Sequence, residues 1–441
     1  MTLRRRNDAV AQFLRRKLLG GRAVLQRGLL ALALALVLAG CETLQRLPGA
    51  DTVGQIFSGE SSDDGKPQRL APFVAEVVVQ RVWRARVGGG LGRKYLRMKP
   101  AVVADRIYLA DAYGLVEARN RFTGARIWAV RIGQPDRGPI YKVWDRRDPA
   151  FVTGGVGAGE GRVLVGTTHG EVVALDAGDG NELWRSPVTS EVLAPPVAAG
   201  DVVIAQTGNG RLLALEAEDG AARWSFDTQV PILSLRGTAT PVVDSGAVFA
   251  GFATGKVGAV DLDTGAPIWE QRIMLPQGRS ELDRVVDVDS TPVAERGLLF
   301  SVGYQGRLKA IRVQNGAVLW ERDASSFLDL AQGYGNVYVV TEDDAIMAVN
   351  QLTSAVVWEQ DALKHRQLTS PVAFDNYVLV GDIDGYLHVL AQSDGRFMGR
   401  GKLSGDLRSP MIEADDFVYM VTNDGTVEAL KITRLPAREA S

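Results

Sequence analysis

Cysteine is almost absent. Cys41 is the only one in 441 residues, so no disulfide can form within the chain and a cysteine-stapled framework is excluded. Histidine is nearly as scarce, with His169, His365 and His388 as the full set. Their spacing to one another and to carboxylates matches neither a zinc site nor a Ser/His/Asp grouping, so neither a metal centre nor a catalytic residue is expected. Apolar runs are short: the unbroken Leu/Ala/Val stretch from Leu29 to Leu38 has ten residues, too few to span a bilayer. The Gly-rich run Gly88-Gly89-Gly90-Leu91-Gly92 follows a strand but opens no helix and lacks the Lys-Ser/Thr of a phosphate-binding loop, and reads as a loop between repeats.

A net positive charge is found only at the start of the chain. The formal net charge is -2, but residues 1–40 hold eight basic residues against Asp8 alone, leaving 42 basic and 51 acidic residues beyond them. Nucleic-acid binding needs clustered Lys and Arg, so no nucleic-acid partner is expected. The basic segment followed by Leu29–Leu38 fits a secretory signal. It ends in Leu38-Ala39-Gly40-Cys41, which resembles the lipobox of bacterial lipoproteins. That resemblance implies a signal peptide over 1–40 and a mature chain beginning at a lipidated Cys41. Glu42, in place of the Asp that retains lipoproteins at the inner membrane, implies the outer membrane and its periplasmic face. Residues 41–70, rich in Gly, Ser, Asp and Pro, read as a flexible tether.

What the chain does have is repetition. A phrase of apolar strand, Gly, apolar strand, acidic residue, Gly and Trp recurs, ending on Trp128, Trp184, Trp224, Trp269, Trp320 and Trp358. A seventh copy runs from Leu387 to Met398, with Met398 where the Trp is expected. The steps of 38 to 56 residues fit four-stranded propeller blades, whose repeats run to roughly 40–50 residues. Apolar runs such as Val248-Phe249-Ala250 need cover on both faces, as stacked blades provide. The last unit, Pro410 to Lys431, has only three strands, and the missing fourth is expected in Phe73 to Val87, where Trp83 takes the Trp position. This pairing closes the ring and removes its free edges. The expected fold is all-β: an eight-bladed β-propeller of four-stranded antiparallel blades over 71–433, with a C-terminal tail over 434–441. The Trp residues read as packing between blades, since the period accounts for them without a ligand.

Two connections break the rhythm. Ten residues separate Trp184 from Pro195, whereas 16 lie between Trp224 and Pro241 and 22 between Trp269 and Pro292. They join adjacent blades and should leave the same face side by side. The first carries Leu233, Leu235 and Arg236; the second carries Ile273-Met274-Leu275, Asp287 and Asp289. Apolar anchors beside opposite charges suit a protein interface, although Leu side chains folded inward and an Arg236 pair to Asp287 or Asp289 would fit the same spacing.

The strings "LSLRG", "ELDRVVDVDSTP" and "HRQLTSP", with the lipobox and the eight-blade frame, are similar to those of the BamB family, the lipoprotein propellers of the β-barrel assembly machine. The similarity covers essentially the whole mature chain. It implies a non-enzymatic scaffold for outer-membrane protein assembly, in which Leu233, Leu235, Arg236, Asp287 and Asp289 dock on the POTRA domains of BamA. Unfolded outer-membrane proteins are a further candidate partner, and no cofactor is expected. The blade phrase also resembles that of the pyrroloquinoline-quinone (PQQ) dehydrogenases, whose cofactor rests on a vicinal disulfide that one cysteine cannot make. A PQQ-dependent periplasmic oxidoreductase and a ligand-sensing propeller are therefore the alternatives.

Overall fold

A computed structural model describes residues 65–92, 98–133, 151–228, 239–274 and 287–436. The chain divides into two units, Met1–Lys66 and Pro67–Ser441, and the described strands lie in the second. They form eight four-stranded antiparallel sheets, and the eight-bladed propeller expected from the repeat is the fold observed. Blade 1 spans Ala101–Arg131, blade 2 Val152–Pro187, blade 3 Val197–Asp227, blade 4 Val242–Arg272, blade 5 Val293–Asp323, blade 6 Ala331–Gln360 and blade 7 Val372–Lys402. Blade 8 takes its first three strands from Ile412–Arg434 and its outer strand, Val77–Arg86, from the other end of the chain.

Burial follows position in the blade. Second strands such as Val202–Gln206 are buried at every residue, because neighbouring blades cover both faces of the sheet. Outer strands are wet: in Arg126–Arg131 only Trp128 is buried. Each outer-strand Trp lies opposite an alanine of the third strand. Ala118, Ala174, Ala214, Ala259, Ala310, Ala348 and Ala429 face Trp128, Trp184, Trp224, Trp269, Trp320, Trp358 and Trp83 respectively. The small residue opens space for the indole to reach an aromatic ring on the second strand, as in Tyr338–Trp358 and Phe249–Trp269 at 5.8 and 5.9 Å between centroids.

The indoles also join one blade to the next. Trp184 Nε1–H donates to the Ala217 carbonyl of blade 3 at 2.9 Å, and Trp358 Nε1–H to the Gln392 carbonyl of blade 7 at 2.8 Å. Under each ring sits a hairpin glycine of that next blade. A Cβ on Gly180 would lie 2.7 Å from Trp128 Cε3, and φ there is +80°, so contact and backbone both require glycine. Beneath Trp320 the place is taken by Ser354, itself at φ +61°.

One sequence expectation is corrected here. Met398 does not occupy the eighth Trp position: Val389 pairs with Gly399, then the register shifts so that Leu390 pairs with Phe397. Gly399 therefore stands where the other blades carry Trp. The reason lies in blade 8, whose third and outer strands come from opposite ends of the chain and share no hairpin. Without that turn there is no glycine platform for an indole. Val77 of the closing strand fills the place, and a Cβ on Gly399 would come within 2.6 Å of Val77 Cγ2. Met398 itself is buried in the core between blades 7 and 8.

Candidate docking site and the closing seam

The two long connections join blade 3 to blade 4 and blade 4 to blade 5. Leu233, Leu235 and Arg236 lie outside the described residues, as does Cys41. Asp287 and Asp289 are described, and they flank a plug. Val288 is 1% exposed and packs with Phe249, Val257 and Ile273. Its Cγ1 would lie 2.6 Å from a Cβ on Gly251, so glycine at the end of the blade 4 strand admits it. Gly166 and Gly381 receive Val192 and Leu407 in the same way.

The segment is tied on its far side too. Tyr304 N–H donates to the Asp287 carbonyl at 2.8 Å, forming an antiparallel bridge with blade 5. On either side of Val288 the two aspartates are buried as well, Asp287 at 2% and Asp289 at 9% exposure. Ile273, expected on the interface, is instead a core residue between blades 4 and 5, at 1% exposure. The structure thus places the two aspartates in a fixed, covered floor to the connections and takes Ile273 out of the surface.

A second cluster of polar residues, which the sequence reading did not single out, lies at the other side of the ring. His388 is fully buried, its Nε2 is 3.0 Å from Asp382 Oδ2, and its Nδ1 accepts from Arg400 Nε at 3.2 Å. Arg366 donates from Nε to Asp382 at 2.8 Å and from an Nη to Asp384 at 2.6 Å. Burial pushes the His388 pKa below its ordinary value, against the hydrogen bond and charge of Asp382. Burial would raise Asp382, but bonds from His388, the Tyr386 N–H and Arg366 outweigh it and hold the carboxyl below the usual range. Both imidazole nitrogens are engaged and the ring has no access to solvent, so the Asp–His pair has no opening for a substrate.

The cluster holds the incoming chain. Arg366 Nη1 donates to the Gln68 carbonyl at 3.0 Å and Gln68 N–H to the Lys364 carbonyl at 3.0 Å. Leu70 packs on the core of blades 6 and 7, and Arg400 donates to the Ala71 carbonyl. Phe73 stacks on Phe397 at 5.5 Å, and Glu76 N–H donates to the Met398 carbonyl at 2.8 Å. Gln68 to Leu70, the end of the stretch read as tether, is therefore docked. The closing strand then runs from Val77 to Arg86, and its far end is held by another aspartate. Asp111 accepts from Gly89 N–H at 2.9 Å and from the Tyr113 and Leu115 N–H groups. The Gly-rich run is the loop between blades that makes this approach: the Asp111 carboxylate occupies the space a Cβ on Gly88 would need.

Asp111 and Asp382 occupy one repeat position. At the same turn in other blades stand Thr207, Thr341 and Thr422, each bonding four residues ahead to Arg211, Ala345 and Thr426. Aspartate preserves that turn, as Asp111 to Leu115 and Asp382 to Tyr386 show, and adds a charge that can hold a further segment.

Comparison with known proteins bears on the whole ring. A family model described as outer membrane protein assembly factor BamB matches residues 112–360 and 342–435. The chain belongs to the BamB family. The outer membrane protein assembly factor BamB of Pseudomonas aeruginosa is 40% identical over 402 residues, covering 91% of this chain and 97% of that protein. The crystal structure of BamB from Moraxella catarrhalis superposes with a TM-score of 0.71 at 30% identity, covering 80% of this chain and all of that one. A quinohemoprotein alcohol dehydrogenase from Comamonas testosteroni reaches a TM-score of 0.62 at 14% identity, covering 90% of this chain and 84% of that one. This last likeness extends to the fold alone.

Proposed function

We propose that this chain is a non-enzymatic scaffold for outer membrane protein assembly and docks on BamA POTRA domains through the connections that follow blades 3 and 4. The observation that carries the reading is the floor built by Asp287, Val288 and Asp289 within a BamB-family ring. It ties the end of one long connection to blades 4 and 5 through Val288 and the Tyr304 bridge. Leu233, Leu235 and Arg236 supply the contact, while Asp287 and Asp289 position the loops and balance Arg236. The chain reaches this partner as a lipoprotein: residues 1–40 are removed, Cys41 is acylated, and residues from 42 form a tether at the periplasmic face of the outer membrane. Unfolded barrel proteins are secondary partners of the assembled complex.

Pull-down of POTRA domains by Leu233→Ala/Arg236→Ala tests the site. An apolar anchor and an Arg at an interface centre together weaken binding by about 2 kcal/mol or more, roughly thirtyfold. Thermal unfolding of the variant beside the parent separates a lost contact from a lost fold, since a surface substitution usually stays within about 0.5 kcal/mol. Full-strength binding by the folded double variant would remove the site. Dye-linked dehydrogenase activity on addition of the quinone and calcium would instead favour the oxidoreductase reading.

A further inference from the structure

Charge is unevenly spread around the perimeter of the ring. The outer strands of blades 7, 8 and 1, which are consecutive, together carry seven Arg or Lys and no Asp or Glu. The other five outer strands carry four basic and six acidic residues. This basic sector stands on a chain whose residues beyond 40 are acidic overall. Several of the cations differ in pairing as well, although Arg81 pairs with Glu428 at 3.4 Å. Arg185 and Arg223, on blades 2 and 3, each bridge two carboxylates. Arg84, Arg86 and Arg126 are exposed, and among the described residues they make no ion pair. Arg131 donates to the Tyr113 carbonyl at 3.0 Å.

We propose that the outer face of blades 7, 8 and 1 is a docking surface for an anionic phospholipid bilayer. Three features select a membrane over an acidic protein. The arginines are spread across consecutive outer strands, a layout that suits mobile phosphodiester headgroups better than a fixed complementary surface. Val82 and Ile127, 46% and 43% exposed, stand among them, and small apolar residues beside cations fit the headgroup boundary. The incoming chain is latched along blade 7 from Gln68 to Glu76, so the segment proposed to carry the lipid joins the ring on this sector. The proposal rests on the lipoprotein reading for that last point alone.

The test compares vesicles of phosphatidylcholine with vesicles that also contain phosphatidylglycerol, using the purified full chain and its R84Q/R86Q/R126Q variant in co-flotation. The readout is the ratio of binding to the two vesicle types. We expect a clear preference for the anionic vesicles, lost at high salt, and reduced about fivefold for each neutralised arginine that reaches the headgroups. All three side chains are exposed, so the variant should unfold at the parent temperature. A missing lipid anchor would lower binding to both vesicle types alike and leave the ratio untouched, which separates failure of the anchor from failure of the surface. Equal ratios for parent and variant would overturn the proposal. So would an absent preference accompanied by loss of POTRA binding in the variant, which would assign the arginines to an acidic protein surface.

Discussion

Blade 8, where the two ends of the propeller meet, holds its outer strand with buried aspartates at both ends, Asp382 through Arg366 before it and Asp111 after it. The rim between blades 4 and 5 is held differently, by an apolar plug, Val288, and one backbone bridge from Tyr304. The difference follows from connectivity. Seven outer strands are joined to their sheets by hairpins, so their register is set locally. The eighth arrives from hundreds of residues away, and only specific contacts can choose its place and register. At the rim the chain is continuous, and the plug and the bridge tie the end of the blade 4 connection to the next blade without having to choose a register.

The comparison breaks most sharply at Arg366. Removing it strips Asp382 of its guanidinium while the carboxylate stays buried, and breaking a buried pair in this way costs about 3–5 kcal/mol. Arg366→Ala should lower the unfolding free energy from urea titration by that amount and increase hydrogen exchange at Gln68 to Glu76, with blade 4 amides keeping their protection. Uniform loss of protection around the ring would mean that the cluster stabilises the whole fold and not the seam.

A smaller effect is expected at the eighth Trp position. A methyl added at Gly399 must displace Val77, and overpacking of this kind costs about 1–3 kcal/mol. Gly399→Ala should therefore destabilise, and Val77→Ala in the same chain should recover part of the loss. Additive losses in a double-mutant cycle would show that the two side chains do not share the space.

The ring was legible in the sequence because the Trp period and the three-strand last unit are signals of spacing, and spacing survives without knowledge of contacts. The error over Met398 arose from aligning on chemical likeness. Counting ten residues on from the third-strand alanine reaches Trp128 from Ala118 and Trp358 from Ala348, and from Val389 the same count reaches Gly399. The seam cluster was harder to see: Arg366 lies in the connection before blade 7 and Asp382 in a turn within it, and Gln68 joins them from about 300 residues away. Its trace in the sequence was the exchange of Thr for Asp at one turn position in blades 1 and 7. Ile273 was misread because a lone apolar residue at the start of a long connection looks alike whether it turns inward or outward.

The seam should also respond to mild acid. Burial depresses the folded-state pKa of His388 below the ordinary 6.5, so between the two values the unfolded chain binds a proton that the folded chain does not. Stability is then complete above pH 6.5 and falls as the pH drops towards the folded value, with a slope of at most about 1.4 kcal/mol per pH unit. Protonation would also remove the Nδ1 acceptor that holds Arg400 and place a cation between Arg366 and Arg400. The contribution of Asp382, whose pKa is lowered from 3.8, is lost only below that value. Urea midpoints measured between about pH 7.5 and pH 5 should decline more steeply for the parent than for His388→Gln, which has no proton to bind. Parallel declines would place the acid sensitivity elsewhere in the ring and leave His388 as packing between Asp382 and Arg400.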